Sequence, residues 1–258
     1  MIQKITNAEF QEIAKLKQKK YREESNLFLG EGVNFLIEVA KNKTWIDRIL
    51  VTEDFYNVNS VFLKKFIPNI FFVSSKDLEK ISETVTNQPI LTVLKNIYSK
   101  TEFQMKEQKR ILYLYQLQDP GNAGTLIRTA SWFGWDTIIF SGNSVEWTNP
   151  KVIRSTMGAF QNIEIFKDNQ DLNLLKKLSL STETLLLDMN GIEISDFKVK
   201  PKSRLVVVIG NESNGFKDFP YESVKSTTCS IPGYPQNVES LNASVAGSIA
   251  LYELRNVE

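Results

Sequence analysis

The five residues 205–209, LVVVI, constrain this chain more than any others. A continuous apolar run that is almost wholly β-branched reads as a strand buried on both faces, which is the habit of parallel sheets covered by helices on each side. Its neighbours agree. ILYLYQL, TIIF, IEIF and TLLLD read as further strands, and residues 122–133, 149–157, 169–180 and 241–256 carry helical patterns between and after them. Strands alternating with helices give an α/β domain built on a parallel sheet. In such sheets, ligands bind beyond the carboxyl ends of the strands. The turns that follow the strands are therefore where chemistry is to be sought.

Composition narrows that chemistry. The 258 residues contain no histidine and one cysteine, Cys229. Cys/His zinc sites and His-based hydrolytic triads are excluded, and no disulfide can form within one chain. No metal site is expected, and a reducing, cytoplasmic compartment is. Lysine and arginine total 31 against 30 acidic residues, a net charge of +1, so any nucleic-acid footprint must be local. The N-terminus, MIQKITNAEF, lacks the pattern of a signal peptide, and no run of about 18 apolar residues suggests a membrane span.

The first hundred residues form their own alternating series. Thr6 and Glu9 have capping-box spacing, and Phe10, Ile13, Ala14 and Leu16 supply an apolar stripe. LFLGEG, DRILVT, NIFFVS and ILTVLKNI read as strands; VNFLIEVAKN, VNSVFLKKF and KDLEKISE read as helices. We expect a small α/β domain over 1–98, a polar linker over 99–110 and the larger domain over 111–258. In KLKQKKYR, the cations Lys15, Lys17, Lys19, Lys20 and Arg22 meet no acid before Glu23 and Glu24. This is either a solvated helix end or a phosphate-contacting patch.

Three clusters follow strands in the larger domain. The first, Gln118-Asp119-Pro120-Gly121-Asn122-Ala123-Gly124, turns into a helix that carries Arg128, with Asn122 as the expected N-cap. The second, Gly210-Asn211-Glu212-Ser213-Asn214-Gly215, sets a carboxylate between two glycines, with Glu212 expected near a helix N-terminus. Neither a P-loop nor GxGxxG occurs, so triphosphates and dinucleotides are not indicated. The third runs from Ile231-Pro232 through a Pro/Gly loop to Ser240-Leu241-Asn242, where Ser240 or Asn242 can cap a helix rich in small residues. Each cluster alone is compatible with ordinary turn and cap structure.

In this order, the clusters resemble the three motifs of the SpoU-type (TrmH-like) RNA 2′-O-ribose methyltransferases of the SPOUT superfamily. Asn122, Gly124 and Arg128 match the first motif; Gly210, Glu212 and Gly215 the second; Ile231, Pro232, Ser240, Leu241, Asn242, Ser244, Val245 and Ala246 the third. The match covers roughly residues 108–256. LFLGEGVNFLIEVA, with Glu31-Gly32, more weakly resembles the family's RNA substrate-binding domain. One departure is the loop Gly233-Tyr234-Pro235-Gln236-Asn237, a residue longer than the family's and without its Met-x-Gly.

The resemblance implies a trefoil knot in the C-terminal domain, a homodimer, and S-adenosylmethionine as cofactor. It implies that Gly210, Asn211, Gly215, Ile231 and Leu241 hold the cofactor. It also implies that Arg128, Asn122, Glu212, Ser240 and Asn242 form the catalytic set, and that ribosomal or transfer RNA is the substrate. With RNA as substrate, phosphate contact by Lys15, Lys17, Lys19, Lys20 and Arg22 becomes the favoured reading of the basic segment, and Glu31 of the resembling N-terminal stretch is expected among the RNA-binding residues. Arg128 stays protonated at any working pH, so it would act by charge and position rather than as a base. A non-catalytic RNA-binding protein on the same scaffold and an α/β enzyme of small metabolites are the competing readings.

Overall fold

The computed structural model describes residues 2–83, 88–100, 103, 109–169, 171–200, 203–234, 236 and 239–255. The chain divides into two compact units, one of residues 1–101 with 148–158, the other of residues 102–147 with 159–258.

The first unit holds strands β1 (Gln3–Lys4), β2 (Leu27–Glu31), β3 (Ile46–Val51), β4 (Ile70–Phe72) and β5 (Ile90–Lys95) in the order β1-β4-β3-β5-β2. β5 runs antiparallel to both its neighbours, so the sheet is mixed. The capping box forms as expected: Thr6 Oγ1 accepts from the Glu9 N–H at 3.3 Å, and the Glu9 carboxylate accepts from the Thr6 N–H at 3.0 Å. The helix Asn7–Lys15 buries Phe10 and Ile13 against Leu50, Leu78, Leu91 and Val93. VNSVFLKKF is not one helix. Its Val58 ends a helix that begins at Glu53, Asn59 interrupts the run, and Ser60–Leu63 and a 3₁₀ turn at Lys64–Phe66 follow. The helix Pro150–Thr156, distant in sequence, belongs to this unit and packs on β2. Most of the segment expected as linker lies outside the described residues.

The second unit holds β6 (Arg110–Leu114), β7 (Thr137–Ser141), β8 (Glu164–Asp168), β9 (Glu183–Glu193), β10 (Leu205–Ile209) and β11 (Thr227–Ser230). Their order is β11-β9-β10-β6-β7-β8, and every pairing is parallel. All five residues of LVVVI are buried, as the β-branched run requires. The α/β architecture with a parallel sheet is therefore as expected. Helix bounds shift: residues 169–180 become Asn173–Ser179 and 241–256 become Ala243–Glu253. The first of these starts late because Asp168 supplies its anchor. One Asp168 carboxylate oxygen accepts from the N–H groups of Leu174 and Leu175 and from the Tyr113 hydroxyl.

β9 carries a feature with no counterpart in the sequence reading. Its partner β11 pairs Thr228 with Leu186 and then Cys229 with Ile192. Residues 187–191 are thus extruded from the ladder at the carboxyl end of the sheet. Gly191 makes this possible: a Cβ there would lie 2.4 Å from the backbone N of Cys229. Gly191→Ala must push β11 away, and we expect it to lose about 2–3 kcal/mol of stability, as overpacking against backbone does. Urea unfolding of the variant beside wild type measures this. An unchanged midpoint would show that the bulge yields freely.

Candidate active site

The first two sequence clusters meet at the carboxyl ends of β6 and β10. These strands are adjacent, with Ile209 opposite Leu114. The chain leaving β6 turns through Gln116, whose φ of 51° is left-handed, and enters the helix Pro120–Trp132. The helix is capped by Asp119 and not, as expected, by Asn122: the Asp119 carboxylate accepts from the Asn122 N–H at 2.7 Å. The reason is Pro120, which sits at the first helical position, where its missing N–H costs nothing. Asn122 is displaced one turn inward and buried.

The chain leaving β10 closes on itself. Asn211 and Gly215 exchange backbone hydrogen bonds at 3.1 and 2.9 Å, and the Asn211 side chain accepts from the N–H groups of Ser213 and Asn214. Gly215 has a φ of 54°, and a Cβ on Gly210 would sit 2.8 Å from the Gly215 carbonyl oxygen. Both glycines are therefore demanded by the loop's own closure. The Asn211 amide also donates to the Gln116 carbonyl at 2.7 Å, which ties the second cluster to the first.

Glu212 makes the stronger tie. No α-helix follows directly on its own loop, and the helix N-terminus expected beside Glu212 is supplied from elsewhere. Its carboxylate reaches across to the start of the other loop's helix. It accepts from the N–H of Gln118 at 3.0 Å, from that of Asp119 at 2.9 Å, and from the Asn122 side-chain amide at 3.2 Å. Burial pushes its pKa up, but these hydrogen bonds outweigh burial and hold the carboxyl below its ordinary range. Glu212 thus stays ionised and works as a clamp between loops.

The third cluster enters through the last helix. Asn242, not Ser240, caps it, accepting from the N–H groups of Ser244 at 2.8 Å and Val245 at 3.3 Å. The helix packs closely on Pro120–Trp132 at Gly247, where a Cβ would meet Leu126 at 2.5 Å. Between the two helices lies an open groove of roughly 320 Å³ lined by Thr125, Phe133, Val245, Ile249 and Tyr252, with Ser244 and Ser248. β11 ends at Ser230, so Ile231 opens the following loop, and Ser240 and Leu241 are exposed. Pro235 and Asn237 of the longer loop lie outside the described residues.

Arg128 stands apart from this network. It is exposed and has no hydrogen-bond or ion-pair partner among the described residues. Thr125, Arg128 and Trp132 are spaced to share the outer face of their helix, where Trp132 is 83% exposed. The structure therefore brings Asn122, Gly210, Asn211, Glu212 and Gly215 into one hydrogen-bonded assembly and presents Arg128 from the same helix.

The N-terminal cations are more engaged than their sequence suggests. Lys15 pairs with Glu12 at 2.6 Å, Lys19 with Glu23 at 3.8 Å and Lys20 with Glu24 at 3.9 Å. Lys17 donates to the Lys80 carbonyl. Arg22 is buried and donates to the carbonyls of Leu16 and Lys17 across the break between the first two helices. It is turned inward, away from any phosphate. Glu31 accepts from the Ser82 hydroxyl and the Glu83 N–H. The remaining lysines stay accessible, since exposed pairs of this kind exchange readily with other anions.

Among the described residues, no group of three or more His, Cys, Asp or Glu could hold a metal ion, and no helix is long and apolar enough to cross a membrane.

Comparison with known proteins agrees with this geometry. Residues 7–92 match the MRM3-like substrate binding domain. The chain is 28% identical over 256 residues to the 23S rRNA (guanosine(2553)-2′-O)-methyltransferase RlmP of Bacillus subtilis, covering 98% of each. Its fold is shared with an AdoMet-bound rRNA methyltransferase from Sinorhizobium meliloti, with TM-score 0.80, 23% identity and coverage of 98% of this chain and 96% of that one. It is also shared with the SpoU methyltransferase AviRb of Streptomyces viridochromogenes, with TM-score 0.80, 20% identity and coverage of 97% of each. Residues 109–252, which contain β6, β10, the Glu212 clamp and Arg128, match the SpoU rRNA methylase family model, and the chain belongs to that family.

Proposed function

We propose that this protein transfers a methyl group from S-adenosylmethionine to a ribose 2′-hydroxyl of ribosomal RNA. The observation that carries the reading is the clamp that joins the first two motifs, Glu212 on Gln118, Asp119 and Asn122. It fixes a glycine-rich loop beside the helix that presents Arg128. The likeness to a 23S rRNA 2′-O-methyltransferase over the whole chain favours ribosomal RNA over transfer RNA.

The loops suit the cofactor. The turn closed by Asn211 and Gly215 lies at the carboxyl end of β10, where ligands of parallel sheets bind. Gly210, Asn211, Gly215, Ile231 and Leu241 would hold the cofactor, main-chain N–H and C=O groups reading its adenine edge. When bound, it supplies an electrophilic methyl group. Arg128 carries a permanent charge with no partner among the described residues. It holds the phosphate next to the target ribose and stabilises the negative charge that develops on the 2′ oxygen as its proton leaves. Asn122 and Glu212 act as positioning residues, and Asn242 orients the last helix. Ser240 is free to meet RNA or cofactor. Residues 1–98, with Lys15, Lys17, Lys19 and Lys20, hold the RNA.

The protein works as a homodimer in this reading. The last helix and the outer face of Pro120–Trp132 expose Trp132, Val245 and Tyr252 around the groove, an apolar surface suited to a second copy. Sedimentation equilibrium is expected to give twice the chain mass; a monomer at micromolar concentration would refute it.

The test of function is transfer of labelled methyl to unmodified ribosomal and transfer RNA, followed by ribose-methylation mapping. Label at a 2′-O position in ribosomal RNA is expected. Cofactor-independent RNA binding without transfer would instead favour the non-catalytic scaffold.

A further inference from the structure

The bulge at 187–191 places a carboxylate beside the cofactor loops that neither the motifs nor the clamp uses. Asp188 sits in the extruded segment and is half-buried. One of its oxygens is fixed: Oδ1 accepts from the Asn190 N–H at 3.0 Å and from the Asn190 side-chain amide at 3.1 Å. The other, Oδ2, has no hydrogen bond among the described residues and lies 3.9 Å from where a Cβ on Gly215 would be. No lysine or arginine among the described residues forms an ion pair with it.

This arrangement has a structural cost. Five residues leave the β9–β11 ladder, and Gly191 is required where the strands close again. A strand interior seldom carries such an interruption unless it re-aims a side chain. Here the side chain is an anion with one oxygen held and one open, next to the glycine turn at the carboxyl edge of β10. The Tyr221 phenol nearby senses the same field: burial raises its pKa, and the Asp188 charge raises it further.

We infer that Asp188 is a cofactor-binding residue, its free oxygen accepting a hydrogen bond from a donor on S-adenosylmethionine. The inference rests on the reading of these loops as the cofactor site. Two donor types share the required chemistry: the ribose hydroxyls and the cationic methionine end.

Calorimetric titration of wild type and Asp188→Asn with three nucleosides tests this. The probes are S-adenosylmethionine, S-adenosylhomocysteine and methylthioadenosine. Asparagine keeps the Oδ1 contact to Asn190, changes the open atom from acceptor to donor and removes the negative charge. The expected result is an about tenfold weaker S-adenosylmethionine complex with an unchanged thermal midpoint. An equal loss for all three probes places Asp188 on the nucleoside part that they share and not on the methionine end. A loss confined to the two probes with a methionine end places it on the ammonium group of that end, and a loss for S-adenosylmethionine alone, whose sulfonium has no hydrogen to donate, overturns the hydrogen bond. Equal affinity of variant and wild type for S-adenosylmethionine overturns the inference. If wild type binds none of the probes, the cofactor reading of the loops falls with it. Should Asp188→Asn fail to fold, Asn190→Ala replaces it. That variant removes the side-chain donor to Oδ1 and leaves the backbone N–H of residue 190 in place, loosening the carboxylate, and should weaken S-adenosylmethionine; no weakening overturns the inference.

Discussion

Arg128→Ala is expected to bind S-adenosylmethionine as wild type does and to transfer methyl about a thousandfold more slowly. The rate estimate is that for removing one preorganised charge from a developing oxyanion. The structure makes this a clean substitution. Arg128 is exposed and holds nothing in place among the described residues, so stability should change by less than about 0.5 kcal/mol. Loss of rate without loss of fold is then a statement about chemistry. Arg128→Lys should recover part of the rate, because charge survives while the two-pronged grip on phosphate does not. Single-turnover kinetics at saturating RNA separates the step from binding. A turnover within threefold of wild type for Arg128→Ala would remove Arg128 from the mechanism.

Glu212→Gln should behave in the opposite way and damage the scaffold. The glutamate presents two acceptor oxygens to three donors. Glutamine presents one oxygen and one amide, so at least one of the three N–H groups faces another donor. The expected cost is about 2 kcal/mol, in the range for breaking a charge-assisted hydrogen bond and stranding its partner. Transfer falls as well, because the start of the Arg128 helix loses its tether to the cofactor loop. The pH dependence has a definite sign. The native carboxyl has its pKa below the ordinary value of 4.5. Its contribution to stability is therefore complete above pH 4.5 and disappears as pH falls through the lower native value. Wild type and Glu212→Gln should differ in urea midpoint at pH 7 and converge as pH drops below 4.5. Parallel curves across that range would mean that Glu212 is not the ionised clamp.

Local signals in the sequence were readable where the cause was local. Thr6 and Glu9 form the expected capping box, LVVVI is buried throughout, and Asn242 caps the last helix. That Asp119 and not Asn122 caps the first-motif helix has a local cause too: Pro120 marks the first helical position, which makes the residue before it the cap. Other features depend on register between distant strands. That Glu212 reaches Gln118 and Asp119 follows from β10 lying beside β6 with Ile209 opposite Leu114, and no pattern within either loop encodes it. The bulge that aims Asp188 depends on how β11 slides along β9. The basic run is an intermediate case. Glu12, Glu23 and Glu24 stand at helical spacing from Lys15, Lys19 and Lys20, so their pairing was legible, whereas the inward turn of Arg22 depends on the helix break at Leu16–Gln18.

The pairing of β6 with β10 also bears on when the site comes into existence during synthesis. Arg110 aligns with Leu205, and Gln118 waits for Glu212, almost a hundred residues later. Until that second segment leaves the ribosome, β6 has one edge without its partner and the Arg128 helix has no clamp. Contacts closed over such long loops form slowly. A nascent chain stopped before residue 210 would carry the whole first unit and Arg128, yet lack the assembled loops that make the arginine useful.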